Sequence, residues 1–124
     1  MKKFLVIGNP IEHSLSPELH NYWIKNNGID AIYEKQKLKE NELEYFISQI
    51  KDKKINGINV TVPFKKTVIP YLDELSNEAQ STQSVNTIYL KNNKVVGHNT
   101  DIFGFETSIK KTAYNINDKE VLIL

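Results

Sequence analysis

Residues 4–28, FLVIGNPIEHSLSPELHNYWIKNNG, set a short apolar run against a helical pattern with a breaker between them, and that succession decides the fold. FLVIG (4–8) reads as a buried strand closed by Gly8-Asn9-Pro10. Ser16 then caps a helix, Pro17 takes its first position, Glu18 lies in its first turn and Gly28 stops it. Leu19, Tyr22 and Trp23 give that helix its inner face. A strand feeding a helix in this way is a βα unit, which places the chain in the α/β class.

The rest of the chain repeats the alternation. AIYEKQ (31–36) is a second strand, polar enough to sit near an edge, and Leu43, Phe46, Ile47 and Ile50 recur at helical spacing after it. The charged residues Lys51 to Lys54 are a solvated helix end. GINVTV (57–62) alternates Ile58, Val60 and Val62 with Asn59 and Thr61 and reads as a central strand closed by Pro63. From Phe64 to Gln83 the pattern is one of short helices broken at Pro70 and at Ser76-Asn77. VNTIYL (85–90) and KVVGHN (94–99) flank Asn92-Asn93, a pair that tolerates positive φ and suits a two-residue hairpin turn. That turn sets Asn86 opposite Asn99, near Asp101. Ile102, Phe105, Ile109 and Ala113 mark a last helix, capped by Thr100 or Asp101, and EVLIL (120–124) reads as a further buried strand. The expected architecture is a three-layer sandwich: a mostly parallel mixed sheet with a C-terminal antiparallel hairpin, and helices on both faces. Residues 1–114 form one unit, and 115–124 are a joint and the first strand of a second.

Composition narrows the function classes. The 124 residues carry 16 Lys+Arg against 15 Asp+Glu and no Cys. Disulfides, thiolate zinc sites and thiol nucleophiles are excluded, and a near-neutral balance argues against a nucleic-acid footprint. The apolar run after Met1-Lys2-Lys3 stops at Gly8, too short for a signal peptide, and no stretch approaches a membrane span. The chain reads as a soluble cytoplasmic protein. Its three histidines show no metal spacing, and neither GxGxxG nor a P-loop is present.

In open α/β sheets ligands sit beyond the carboxyl ends of the strands. The first strand delivers Asn9 to Ser16 there, the strand ending at Val62 delivers Lys65, and the hairpin adds Asn86 and Asn99 to Asp101. Hydroxyls, amides, an ammonium and a carboxylate suit a small, polyhydroxylated, anionic ligand. Ser14 and Ser16, before a helix N-terminus, suit its carboxylate. Lys65, shielded by Pro63 and Phe64, suits proton transfer, with Asp101 orienting it or acting with it. Each residue has a plainer reading on its own: Ser16 and Asp101 as helix caps, Lys65 as a surface lysine, Asn86 and Asn99 as turn-supporting amides.

Taken together, GNPIEHSLSPELHN (8–21), INVTVPFKK (58–66), SVNTIY (84–89) and GHNTDIFGF (97–105) closely resemble the substrate-binding half of the shikimate dehydrogenase family. The resemblance implies NADP-dependent interconversion of 3-dehydroshikimate and shikimate in chorismate and aromatic amino acid biosynthesis. It implies that Ser14 and Ser16 hold the substrate carboxylate, that Thr61, Lys65, Asn86 and Asp101 complete the substrate site, and that Lys65 and Asp101 are catalytic. Asn77 stands where the family often has an acidic residue near the cofactor, and Gln83-Ser84 replaces a usual Gly-Ala. VLIL ends where the family's glycine-rich NADP loop begins, so this piece alone is expected to bind shikimate weakly and turn over nothing. Two alternatives stand beside this reading: quinate as the substrate, and a non-catalytic binding module that dimerises through 120–124.

Overall fold

The computed structural model describes residues 1–124. Strands β1 (Lys2–Gly8), β2 (Ala31–Lys37), β3 (Gly57–Val60), β4 (Glu74–Leu75), β5 (Thr87–Lys91) and β6 (Lys94–His98) form one sheet. Helices α1 (Ser16–Asn26), α2 (Leu43–Lys51), α3 (Asn77–Thr82) and α4 (Asp101–Lys111) accompany it. The strand order is β2-β1-β3-β5-β6-β4. Pairs β1–β2, β1–β3 and β4–β6 are parallel, and β5 runs antiparallel to both β3 and β6. This is the mixed α/β sheet expected from the sequence, with β2 at an edge. No helix is long and apolar enough to cross a membrane.

The two sheet faces differ. Leu5, Ile7, Ile58, Val60 and Ile88 join Leu43, Ile47 and Ile50 of α2 in a fifteen-residue core. Full burial of such side chains contributes roughly 1.5–3 kcal/mol each, so this face holds the fold. The opposite face carries a small cluster of Val6, Ile11 and Tyr33, with Phe4 and Ile24 packed against it. Gly97 of β6 is required by close packing: a Cβ there would stand 2.5 Å from Leu72 Cδ1 and 3.0 Å from Val85 Cγ2.

The hairpin follows the sequence expectation. Asn92 and Asn93 both have positive φ, 50° and 63°, and the register pairs Thr87 with His98. Several local expectations are corrected. Leu19, Tyr22 and Trp23 are exposed and do not form the inner face of α1. The helix is turned instead by Asn21, whose side chain bonds both backbone groups of Tyr33: Nδ2 donates to Tyr33 O at 2.8 Å and Oδ1 accepts from Tyr33 N at 2.9 Å. Two satisfied hydrogen bonds on the free edge of β2 outweigh the placement of amphipathic aromatics that tolerate solvent.

Ser16 is not the cap of α1. It is the first helical residue, and the Ser14 hydroxyl accepts its N–H at 3.3 Å. β3 stops at Val60, and Val62 is exposed, because the chain turns there towards Pro63 and Phe64. A two-residue strand, β4, interrupts the irregular segment after Pro70, and Ser76 caps α3 by accepting from Ala79 N–H. Thr100 stands at the N-cap position of α4, but its side chain makes no capping bond; Asn99 Oδ1 accepts the Asp101 and Ile102 N–H groups instead. Ala113 lies beyond α4 at φ 56°, and residues 120–124 form no strand, with Val121 to Leu124 exposed. An extended run with no ladder partner has nothing to offset the entropy of ordering it.

Candidate functional site

The topology brings four chain segments to one end of the sheet. β1, β3 and β6 end there, and β5, antiparallel to β3, begins there. Backbone bonds stitch these ends together: Thr61 N donates to Ile7 O at 3.0 Å, Val60 N to Asn86 O at 2.8 Å, and Asn86 N to His98 O at 3.0 Å. The loop of residues 61–65 is tied to the hairpin by Val85 N donating to Lys65 O at 2.7 Å.

Two groups of polar side chains occupy this rim. Ser14, Ser16, Thr61 and His13 line a cleft of about 260 Å³. Beside Thr61, Gly8 is needed for space, since a Cβ would meet Thr61 Cγ2 at 2.6 Å and Val62 O at 3.0 Å. The loop carrying Ser14 is braced from β2, with Lys35 Nζ donating to Glu12 O at 2.6 Å and Lys37 3.6 Å from the Glu12 carboxylate. Backbone N–H groups of Glu12 and Ile11, and then Lys37, hold the Glu12 carboxyl below the usual carboxylate range. With the Ser14 hydroxyl taking the Ser16 N–H, the Ser16 hydroxyl is left out of capping.

The second group is Lys65, Asn86 and Asp101. Lys65 Nζ donates to Asp101 Oδ2 at 2.9 Å, and Asn86 Nδ2 donates to Asp101 Oδ1 at 3.2 Å and to Thr100 Oγ1 at 2.8 Å. Asn86 Oδ1 accepts from Thr100 N–H and from the Thr87 hydroxyl, at 3.1 and 3.0 Å. A backbone N–H can only donate, so the amide has one orientation and presents its NH₂ to Asp101. The Lys65 and Asp101 side chains are 35% and 55% exposed, and a pair this open contributes no more than about 1 kcal/mol to stability. Its significance is chemical: an ammonium and a carboxylate in contact, open to solvent, beside a cleft of hydroxyls.

No direct contact joins the two groups; Tyr33 and Asn59 lie between them. The Tyr33 phenol, near Ser16, donates to Asn59 Oδ1 at 2.8 Å. Asn59 Nδ2 donates to Asn86 O and to Thr87 Oγ1, at 3.2 and 3.3 Å. Desolvation pushes the Tyr33 pKa up to about 12 against the opposing Ser16 bond, so the phenol is a neutral donor at ordinary pH. The sequence alone offers Tyr33 only as a residue of the second strand and Asn59 only as an alternating position of the central strand, with no site role for either. The signal for Asn59 is its place in a central strand, which in a sheet covered by helices on both faces has no solvent side.

A larger groove of about 340 Å³ lies over the same face, walled by Phe4, Ile24, Tyr33 and Tyr89. Its walls are mostly apolar, and the acid–base groups are at the rim. Asn77 is exposed at the first position of α3. Among the glycines, Gly8, Gly57 and Gly97 face close packing and only Gly28 and Gly104 face open space. These residues form no glycine-rich cradle and do not fit a dinucleotide pyrophosphate.

Residues 6–88 match the family model described as shikimate dehydrogenase substrate binding domain. A shikimate dehydrogenase (NADP(+)) of Pelagibacter ubique is 60% identical over 123 residues, covering 99% of this chain and 46% of that protein. The crystal structure of shikimate 5-dehydrogenase from Listeria monocytogenes in complex with shikimate and NAD superposes with a TM-score of 0.86 at 31% identity, covering 94% of this chain and 40% of the other. That of the Thermus thermophilus enzyme with NADP(H) and shikimate gives 0.84 at 31% identity, covering 94% and 44%. The chain spans about half the length of the curated relatives it matches.

Proposed function

The chain belongs to the shikimate dehydrogenase substrate binding domain family, and from that premise we propose that it is the substrate-binding part of an NADP-dependent shikimate dehydrogenase. The observation that carries the proposal is the Lys65–Asp101–Asn86 cluster at the same rim as the Ser14/Ser16 cleft. Reduction of 3-dehydroshikimate to shikimate needs a proton at the new hydroxyl oxygen as hydride arrives at its carbon. Lys65 is the proton donor, and Asp101 holds its ammonium in place and accepts from the substrate hydroxyl region. A positioned acid of this kind contributes typically about 10²–10⁴ in rate. Ser14 and Ser16 take the substrate carboxylate, and Thr61 and Asn86 bond the ring hydroxyls.

NADPH, the reduced form of the cofactor in the relatives' name, would supply the hydride when bound. The residues described here do not cradle it, and no role in holding it is assigned to Asn77. The end of α4 at Lys111 supports a boundary near residue 114, with 115–124 outside the substrate-binding unit. A cytoplasmic location is proposed with the same function. Exposure of Val121 to Leu124 supports one further reading, association of two copies through that run, which sedimentation at rising concentration would reveal as a dimer.

Calorimetric titration of the chain with shikimate tests the site. Weak saturable binding is expected, lost in the Ser14→Ala/Ser16→Ala double variant and in Lys65→Ala. Binding that survives the double variant unchanged would overturn the carboxylate assignment.

A further inference from the structure

Asn99, 3% exposed, is the one buried amide or charged side chain of the protein. A buried amide is costly unless its groups are bonded, and here both its nitrogen and its oxygen have partners. Nδ2 donates to Ser84 O at 3.0 Å, and Oδ1 accepts from Asp101 N at 2.8 Å and Ile102 N at 3.3 Å. The carbonyl can only accept and the two backbone N–H groups can only donate, so the carboxamide cannot be flipped. Ser84 opens the segment that continues through Val85, whose N–H holds Lys65 O, to Asn86. One side chain therefore ties the first turn of α4 to the stretch that fixes both partners of Asp101.

A second tie at this junction comes from Asn86, whose carboxamide bonds the Thr100 N–H and Oγ1 at 3.1 and 2.8 Å, but no side chain within α4 anchors it. The helix buries no residue, and Phe103 and Phe105 are 72% and 68% exposed, so its own packing does not determine where its first residue stands. The contacts of Asp101 with Lys65 and Asn86 are made by its partly exposed carboxylate and are individually weak. We propose that Asn99 is a positioning residue: its buried carboxamide sets the Asp101 backbone at the distance from which the carboxylate reaches Lys65 and Asn86 together. The inference goes beyond the substrate-site reading, and only its affinity test rests on that reading.

A double-mutant cycle on the 124-residue chain tests it. Asn99→Ala is expected to weaken shikimate binding about tenfold in the parent and less than about twofold in an Asp101→Asn background, because the residue acts through Asp101. Equal losses in both backgrounds would mean general damage and overturn the proposal. Asn99→Ser keeps an oxygen for the Asp101 N–H and loses the donor to Ser84 O; it should fall between parent and Asn99→Ala, and it carries the cycle should Asn99→Ala fail to fold. A second readout needs no ligand. The nuclear Overhauser contact between the Lys65 ε and Asp101 β protons should fade in Asn99→Ser while the amide resonances of β1 and β3 stay in place. Retention of that contact at full intensity overturns positioning. Absence of shikimate binding in the parent sinks the substrate reading alone, leaving Asn99 to be judged by the proton contact.

Discussion

The helices on the two sides of the sheet dock by opposite means. α2 buries Leu43, Ile47 and Ile50, none more than 2% exposed, in a continuous apolar core. α1 buries no residue fully and holds the sheet through Asn21, through Ile24, and through His20, whose ring stacks on Tyr33 at 4.1 Å. One face of the sheet is therefore specified by volume and the other by hydrogen-bond geometry. The site belongs to the second face, where polar groups can be offered to a ligand because the first already stabilises the fold.

The sharpest way to break this contrast is Leu43→Ala. It should cost about 2–5 kcal/mol in urea unfolding, the range for a buried leucine that leaves a cavity, while shikimate affinity of the folded chain stays within about twofold. A comparable loss of affinity would show that the two faces are not separable.

The next effect concerns Tyr33. Its folded-state pKa of about 12 lies above the ordinary phenol value of 10.0. The folded state therefore keeps a proton that the unfolded chain releases. The contribution is intact below about pH 10 and is lost progressively from pH 10 to pH 12, with a ceiling of about 2–3 kcal/mol. Alkaline unfolding followed by circular dichroism should start at lower pH in the parent than in Tyr33→Phe. Coincident curves would mean that the phenol is hydrated and the α1 face is looser than described.

The smallest effect sharpens the comparison most. Asn21→Ala should cost about 1–2 kcal/mol through the two bonds to Tyr33, whereas Leu19→Lys, on the exposed side of the same helix, should change stability by no more than about 0.5 kcal/mol. Thermal melts of the pair decide whether an amide or a leucine seats α1, and the reverse order would restore the apolar inner face first read from the sequence.

That reversal shows where sequence reading worked and where it stopped. The α2 face was legible because helical periodicity and burial coincide there. The hairpin was legible because Asn92-Asn93 admits few turn geometries, and its register put Asn86 near Asp101 without reference to any family. α1 was misread because Tyr22 and Trp23 satisfy an apolar pattern as well as core residues do, while the decisive Asn21 pairs with a backbone twelve positions away. The carboxyl-end rule and the hairpin register bring Lys65 and Asp101 to one edge, where they meet, although each residue alone keeps a plainer reading. Tyr33 and Asn59 are not singled out by the sequence, and Asn99 is legible only as a site-edge or turn-supporting amide, since a buried polar side chain looks like any loop or strand polar residue until its partners are known. Residues 120–124 carried a strand pattern with no local neighbour to pair with, which composition cannot reveal.

The tight turn at Asn92-Asn93 stands at the opposite end of β5 and β6 from Lys65, yet every rung between fixes what arrives at the rim. Lengthening that tip by a single amino acid would let the two strands re-pair one step out of phase, turning outward what now points inward. The product would still be a well-formed ribbon, but Asn86 and Asp101 would reach the rim out of step. A change far from any ligand, invisible to a search for contacting residues, would in this way silence the protein.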